Sequence, residues 1–169
     1  MVQAPLPKIV PKPTGADNII EALGFVALVF LWVFTVYSYV SLPHTIPSHY
    51  NFKGQIDGYG SKNSLWFLPI ISTIIFVGFT FLNKYPYIFD YPTAITAENA
   101  ERQYTLATRL IRSLKLVVCL VFSGLTVEIV NDAKKQSSSA PVWTMLGFML
   151  IVFLPIGIYL YYAFRKKEK

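Results

Sequence analysis

Four long runs of apolar side chains constrain this sequence more than any other feature. They extend over about residues 19–41, 64–82, 114–130 and 141–164, and the helix that contains the third run is predicted to span residues 97–130. A helix needs roughly 17–25 apolar residues to cross about 30 Å of hydrocarbon, and each run is near that length. Strands of a membrane barrel would alternate apolar and polar residues, whereas these runs are apolar on all sides. The runs therefore predict an all-α membrane protein, with a single four-helix transmembrane bundle over residues 19–164.

The proportion of charged side chains indicates the same environment. Apolar residues make up 54% of the chain and charged residues 14%, whereas a soluble domain averages about 25% charged residues. So few ionised groups cannot cover a water-facing surface. The net charge of +6 follows the ends of the apolar runs, as is typical of membrane proteins. The lipid bilayer is the expected partner, and nucleic acid is not.

The distribution of Lys and Arg predicts an orientation. Most of the 15 Lys and Arg residues lie before the first run, between the second and third, and after the fourth. The positive-inside rule places these segments in the cytoplasm. We therefore expect both termini inside, with residues 1–18 as a flexible tail and residues 165–169 as a basic tail.

Residues 42–63 form the predicted outer loop between the first two helices. Structureless loops longer than roughly 12–15 residues are uncommon and often functional. This loop contains both histidines of the chain, His44 and His49. Residues 49–52 alternate in a strand-like way. It also contains Asp57-Gly58, a dipeptide typical of tight turns. We expect an ordered, turn-rich cap over the outer ends of the helices.

The same loop carries a spaced pattern of residues. It has the form LP-x-x-IP-x-H-x-N, followed by G-x-x-D, a glycine and S-K. With this pattern the segment resembles the membrane domain of unknown function that forms the N-terminal part of SdpI-like immunity proteins. A second stretch, residues 90–104, resembles short members of that family. In the loop, the positions that match the family pattern are Leu42, Pro43, Ile46, Pro47, His49, Asn51, Gly54, Asp57, Gly60, Ser61 and Lys62.

The resemblance covers roughly residues 20–130 and implies a multi-pass protein of the bacterial inner membrane. SdpI-like proteins protect the producing cell from a secreted peptide toxin, and some hold a transcriptional repressor at the membrane. The implied function is non-catalytic: binding or sensing an extracytoplasmic peptide or envelope component, in immunity or signalling. The implied ligand-binding positions of the loop are Pro43, Pro47, His49, Asn51, Gly54, Asp57, Gly60 and Lys62.

The polar residues of the loop also have a structural interpretation, in which His49, Asn51 and Asp57 bond backbone groups and fix the loop. A metal site is a weaker alternative, because His44 and His49 match no standard zinc spacing. The sequence shows neither a nucleophilic triad nor a phosphate-binding glycine motif. We expect no cofactor, no metal and no enzyme activity; a metal-dependent enzyme at the outer face is the catalytic alternative.

The third helix carries an acid and a basic stretch. Glu128 lies near its outer end, where an intramembrane acid is a functional candidate; we hypothesise that it pairs with Lys53 or Lys62, and the alternative is contact with lipid headgroups. Near the inner end, the spacing of apolar residues predicts a helix that starts after Thr96 and extends into the cytoplasm as a stalk. This part contains four cations: Arg102, Arg109, Arg112 and Lys115.

Two interpretations of these four cations remain open. Attraction to anionic lipid is the simpler one, at about 1 kcal/mol per residue near the surface. Docking of a cytoplasmic partner is the other, as the repressor-holding family members imply. For the whole chain, a structural or accessory subunit of a larger membrane complex is the second function class.

Overall fold

The computed structural model describes residues 7–135 and 142–165. These residues form four α-helices, one two-stranded sheet and two short 3₁₀ turns. In chain order the elements are α1 (Gly15–Ser41), β1 (Thr45–Tyr50), β2 (Ile56–Ser61), a 3₁₀ turn (Lys62–Trp66), α2 (Phe67–Leu82), a 3₁₀ turn (Pro86–Ile88), α3 (Ala100–Lys135) and α4 (Val142–Phe164). The predicted helices are thus accompanied by a β-hairpin, which an all-α class does not include.

All four helices of the described residues are long and apolar enough to cross a membrane. The most apolar window of each has a mean hydropathy between 2.0 and 2.4. Large apolar side chains such as Val33, Ile74 and Leu150 are exposed on the helix surfaces. Surfaces of this kind face lipid rather than water. The chain is a multi-pass membrane protein by this criterion.

A capping box starts α1 earlier than the predicted residue 19. Thr14 is the N-cap: its Oγ1 accepts from the backbone N–H of Asp17 at 3.3 Å. In return, Asp17 Oδ2 accepts from the backbone N–H of Thr14 at 2.8 Å. This reciprocal pair satisfies two N–H groups that a helix start leaves open. Residues 15–18, which the sequence analysis assigned to a flexible tail, therefore belong to the helix.

The central helix is α3, which contacts α1, α2 and α4. Its 36 residues give it a length of about 54 Å. The chain turns into it at Thr96, whose N–H donates to Asn99 Oδ1 at 2.9 Å, close to the predicted start. Its first turns do not form an isolated stalk, because Ala100 and Tyr104 are fully buried and Tyr91 packs on the Tyr104 ring at 5.3 Å.

Polar contacts link α1, α2 and α3 in the middle of the apolar segments. Trp32 Nε1 on α1 donates to Thr73 Oγ1 on α2 at 2.9 Å. Ser72 Oγ on α2 lies 3.3 Å from Cys119 Sγ on α3. Lipid offers these groups no replacement partners, so such bonds favour helix association inside a membrane.

The fourth helix packs chiefly against α3. The contact is close at Gly124, where an added Cβ would lie 2.6 Å from the Phe148 ring. At the far end Gln103 Nε2 donates to the carbonyl oxygen of Ala163 at 3.1 Å. Only 6% of the apolar span of α4 is buried. The predicted bundle is therefore a core of α1, α2 and α3, with α4 attached to the outside of α3.

The hairpin covers one end of the helices, which we call the hairpin end. Its antiparallel strands are joined by a turn at residues 51–55. The predicted turn at Asp57-Gly58 is wrong: both residues lie inside β2, with Gly58 paired to His49. Ile46 anchors β1 in an apolar cluster with Leu42, Leu65, Val130 and Ala133.

Candidate functional site

Asn51 organises the turn of the hairpin. Its Oδ1 accepts from the backbone N–H of Lys53 at 2.9 Å and of Gln55 at 3.1 Å. Its Nδ2 donates to Gln55 Oε1 at 3.1 Å. Gly54 completes the turn with a φ of 76°, a left-handed conformation that glycine adopts without strain. Two of the predicted loop positions, Asn51 and Gly54, thus determine the shape of the turn.

The glycines of β2 allow the two strands to approach closely. A Cβ on Gly58 would lie 3.0 Å from the Cβ of His49, and one on Gly60 would lie 3.2 Å from the Cβ of Ser48. Both distances are shorter than ordinary van der Waals contact. The Asp57-Gly58 dipeptide of the sequence therefore reflects close strand packing.

His49 and Asp57 form an ion pair across the hairpin, His49 Nδ1 to Asp57 Oδ1. Both side chains are exposed, at 71% and 42% respectively. An exposed pair is screened by water and stabilises the fold by about 0–1 kcal/mol. His44 is exposed on the segment before β1. Among the described residues, no group of three or more His, Cys, Asp and Glu side chains is placed to hold a metal.

Lys62 connects the hairpin to the end of α1. Its Nζ donates to the carbonyl oxygens of Tyr39 at 3.3 Å and Leu42 at 3.5 Å. The same ammonium lies 4.5 Å from the centre of the Tyr39 ring. These contacts satisfy open carbonyl groups at a helix C-terminus, where a cation also interacts favourably with the helix dipole. The two predicted proline positions differ: Pro47 is buried and Pro43 is exposed.

Tyr50 links the hairpin to α3, a contact that the sequence analysis missed. Its hydroxyl donates to Asp132 Oδ2 at 3.0 Å, and Asp132 is fully buried. Burial, together with the nearby Asp132 carboxylate, raises the pKa of Tyr50 above its ordinary value of 10.0. Glu128, one turn before Asp132, lies near the Asp132 carboxylate and the Thr144 side chain of α4, whereas Lys62 bonds carbonyl groups instead. In the sequence, the i, i+4 spacing of Glu128 and Asp132 was the feature that could have predicted that both acids lie on one face of α3.

The hairpin also presents aromatic side chains to its surroundings. Phe52, in the turn, is 101% exposed, and Tyr59, on β2, is 62% exposed. Both are held by a backbone that the Asn51 turn and the strand pairing fix. Two exposed aromatic rings on one ordered segment are a candidate surface for binding.

The opposite end of the helices, which we call the basic end, contains buried ion pairs. Arg109 on α3 donates to both carboxylate oxygens of Asp17 on α1, at 2.7 Å from Nε and 3.2 Å from Nη2. The Asp17 side chain is 1% exposed. A paired geometry of this kind is strong because two parallel bonds form between charged groups. It fixes the start of α1 against α3.

A second ion pair lies further along both helices, four residues on from Asp17 in α1 and six residues on from Arg109 in α3. Lys115 Nζ on α3 bonds Glu21 Oε1 on α1 and donates to Thr80 Oγ1 on α2 at 2.9 Å. Lys115 is 1% exposed, and its ammonium lies 4.5 Å from the centre of the Phe76 ring. Arg112 Nε stands 3.8 Å from the other oxygen of Glu21. Lys115 thus joins three helices.

All four cations predicted to meet lipid or a partner have contacts within the chain. Arg109 and Lys115 bind the acids of α1, and Arg102 donates to the carbonyl oxygens of Tyr162 and Arg165 at the end of α4, the latter at 2.8 Å. Arg112 is the least tightly engaged of the four. The matching signal in the sequence was that the acids of α1 are four residues apart and the cations at 109, 112 and 115 of α3 are three residues apart, so that each set lies on one face of its helix.

Comparison with known proteins finds a family match that includes the hairpin and its residue pattern. Residues 26–73, from the middle of α1 through the hairpin to α2, match the family model described as "Domain of unknown function (DUF1648)". An uncharacterized protein of Archaeoglobus fulgidus is 26% identical over 167 residues, which cover 91% of each chain. No solved structure matches. The predicted resemblance to a membrane domain of unknown function is confirmed for residues 26–73, and the link to SdpI-like immunity proteins stays a prediction.

Proposed function

We propose that this protein binds an extracytoplasmic peptide or envelope component through its β-hairpin, as a non-catalytic, SdpI-related protein of immunity or signalling. The observation that supports the proposal is the full exposure of Phe52 on a turn fixed by Asn51 and Gly54. A ring held on an ordered backbone loses little conformational entropy when it binds. Tyr59 adds a second exposed ring on the same hairpin.

The proposal includes an orientation in the cytoplasmic membrane of a bacterium. The contacts of Arg109 with Asp17 and of Gln103 with Ala163 bring the starts of α1 and α3 and the end of α4 to one end. That end carries the larger share of Lys and Arg. By the positive-inside rule it lies in the cytoplasm, and the hairpin lies outside.

The contact of Tyr50 with Asp132 supplies a route from the hairpin to the helices. It joins the hairpin to α3, and α3 contacts every other helix. A ligand that favours one packing of the hairpin on α3 shifts the population of α3 positions by its difference in affinity. Binding outside is thereby coupled to the basic end.

Photocrosslinking tests the binding surface. A benzoylphenylalanine at position 52, in intact cells, is expected to give an adduct with a peptide or envelope component. The additional substitution Tyr59→Ala is expected to lower the yield. The same probe at Lys12, which is exposed at the other end, is the matched control. Identical adducts from both positions, or lipid adducts alone from position 52, contradict the proposal.

Cysteine labelling tests the orientation separately. In a Cys119→Ser background, Lys53→Cys is expected to react with a membrane-impermeant maleimide in intact cells. Lys84→Cys, exposed at the basic end, is expected to react only after permeabilisation. The reverse result contradicts the orientation without bearing on the exposed rings.

A structural or accessory subunit of a larger membrane complex is the second candidate, and the surface of α4 favours it. A groove of about 860 Å³ lies along this helix, lined by residues that include Gly147, Leu154 and Gly157. A neighbouring helix would approach closely at the two glycines. Light scattering of the detergent-solubilised chain distinguishes the candidates: a stable monomer disfavours the subunit, and aggregation of the isolated chain favours it.

A further inference from the structure

A cavity of about 440 Å³ lies at the basic end, apart from the hairpin. The N-terminal segment forms one wall with Val10, Pro11 and Pro13. The start of α1, the end of α2 and α3 form the others. The polar side chains that line it are Asn18, Glu21, Thr80, Asn83, Lys84, Arg112 and Lys115.

The charges that line this cavity do not balance. Asp17 is outside the lining, and both of its carboxylate oxygens are bonded by Arg109. The acid that remains, Glu21, faces both Lys115 and Arg112. Lys84 also lines the cavity, where its ammonium lies 4.8 Å from the Phe81 ring. Among the described lining residues, positive charges therefore exceed negative charges by two.

An excess of positive charge is costly where water is scarce. The side chain of Arg112 is 14% exposed and that of Lys115 is 1% exposed. The free energy of such groups falls when an anion enters and accepts their hydrogen bonds. The guanidinium of Arg112 offers a planar fork, and Lys84 offers a mobile ammonium. This combination suits a phosphate group better than a smaller anion.

We propose that this cavity binds a phosphate ester, either the headgroup of an anionic lipid or a small soluble phosphate. Arg112 and Lys84 bind the phosphate oxygens, while Lys115 stays with Glu21 and Thr80 and supplies positive potential. The apolar wall at Val10, Pro11 and Pro13 contacts the carbon-bearing part of the ester. The volume exceeds that of a bare phosphate and accommodates a glycerol-sized group. This binding is independent of the hairpin ligand and of the orientation proposed above.

Thermal unfolding of the full chain in detergent tests the proposal with three probes. Dioctanoyl phosphatidic acid is expected to raise Tm, and dioctanoyl phosphatidylcholine, which has no net charge, is not. Glycerol 3-phosphate separates the two sources: a rise with it shows that the headgroup alone suffices, and a rise with phosphatidic acid only shows that the lipid chains are needed. No rise with either anion overturns the proposal, as does an equal rise with phosphatidylcholine.

Substitutions locate the binding within the cavity. The double variant Lys84→Gln, Arg112→Gln is expected to bind phosphatidic acid at least about tenfold more weakly, since two charge-assisted contacts are lost. Lys84→Gln alone changes an exposed side chain, leaves the helix contacts intact, and is expected to weaken binding by a smaller factor. Lys12→Gln removes one charge from the N-terminal segment at a residue that does not line the cavity, and is the matched control for Lys84→Gln. Equal affinities of all three variants and the wild type overturn the proposal.

Discussion

The hairpin end and the basic end of this protein are both held by polar side chains, but in different ways. At the hairpin end, most bonds are local: Asn51 bonds backbone groups within four residues, and the His49–Asp57 pair is exposed. At the basic end, the bonds join distant parts of the chain: Asp17 and Arg109 are 92 residues apart, and the Asp17 side chain is 1% exposed.

This difference assigns different roles to the two ends. Local bonds shape a surface and leave its side chains free to meet a ligand. Buried, long-range bonds fix the helices relative to one another, because removing one partner leaves a charge without compensation. Substitutions at the basic end are therefore expected to affect stability, and those at the hairpin surface are expected to affect binding. Five predictions test this comparison.

The largest effect is expected for Asp17→Asn. The substitution leaves Arg109, which is 38% exposed, without its carboxylate partner and weakens the capping box of Thr14. The free energy of unfolding is therefore expected to fall by about 2–4 kcal/mol. Denaturant unfolding in detergent, followed by circular dichroism, measures the change. Lys12→Gln, a nearby exposed charge, is the control and is expected to change stability by less than about 0.5 kcal/mol.

A double-mutant cycle sharpens this prediction. Arg109→Gln is expected to restore part of the stability lost in Asp17→Asn, because the unpaired charge is removed. Additive losses in the double variant contradict a direct interaction between the two residues.

The second effect concerns Tyr50, which carries the link between the hairpin and α3. Tyr50→Phe removes a donor from the buried Asp132, so a loss of about 1–3 kcal/mol in the free energy of unfolding is expected. Thr105→Ser, which keeps the hydroxyl that donates to the carbonyl oxygen of Glu101 within α3, is the control. A loss below about 0.5 kcal/mol would show that the link contributes little.

Stability at high pH tests one half-buried tyrosine at each end. The pKa of Tyr50 is raised by burial and by Asp132, and the pKa of Tyr91 at the basic end is raised by burial and by its neighbours Tyr104 and Tyr159. A raised folded-state pKa gives stability that is complete below the unfolded value of about 10 and is lost as the pH rises beyond it. Tyr50→Phe and Tyr91→Phe are each expected to reduce this loss in unfolding experiments between pH 9 and 11, roughly spanning the unfolded value. An unchanged slope in both variants contradicts the prediction.

The third effect tests the turn. Gly54→Ala places a side chain at a φ of 76°, which is expected to cost about 1–2 kcal/mol. Gly54→Asn is expected to cost less, because Asn tolerates this conformation better. Gly15→Ala, where an added Cβ meets no atom within 4 Å, is the control. The free energies of unfolding of the three variants give the order directly.

The smallest effect is expected for the exposed ion pair. Asp57→Asn is expected to change the free energy of unfolding by about 0–1 kcal/mol, with a smaller change at high salt. If ligand binding at the hairpin is lost in this variant while stability is kept, the two ends differ as proposed. A stability loss as large as that of Asp17→Asn would remove the contrast between them.

The helices and the presence of an ordered loop follow from the sequence, because apolar length and turn residues act locally. The position of the turn does not. Asp57-Gly58 is a good turn dipeptide, yet the close approach of Gly58 to His49 places it within β2. Asn51 and Gly54 form the turn instead. The Asn51 side chain bonds the backbone of the turn, and Gly54 adopts the left-handed conformation that reverses the chain. A choice between two suitable turn sites depends on strand pairing.

The partners of the charged residues were also not predicted from the sequence. Glu128 was expected to meet Lys53 or Lys62, but Lys62 bonds the end of α1 and Glu128 lies near Asp132 and Thr144 of α4. Likewise, Arg109 and Lys115 were expected to face lipid or a protein partner, and they bind Asp17 and Glu21. These pairs depend on which helix faces meet.

The sequence by itself determined three features: that the helices of this chain face lipid, which residues form the four helices, and that the loop between the first two helices is ordered. These features depend on short-range properties: the hydropathy of successive side chains and the conformational freedom of glycine and proline. The tertiary structure alone decided that α3 is central, that α4 lies outside the core, and that the acids of α1 take up the cations of α3. Such pairings arise from the packing of helix faces far apart in the chain, which no local pattern records.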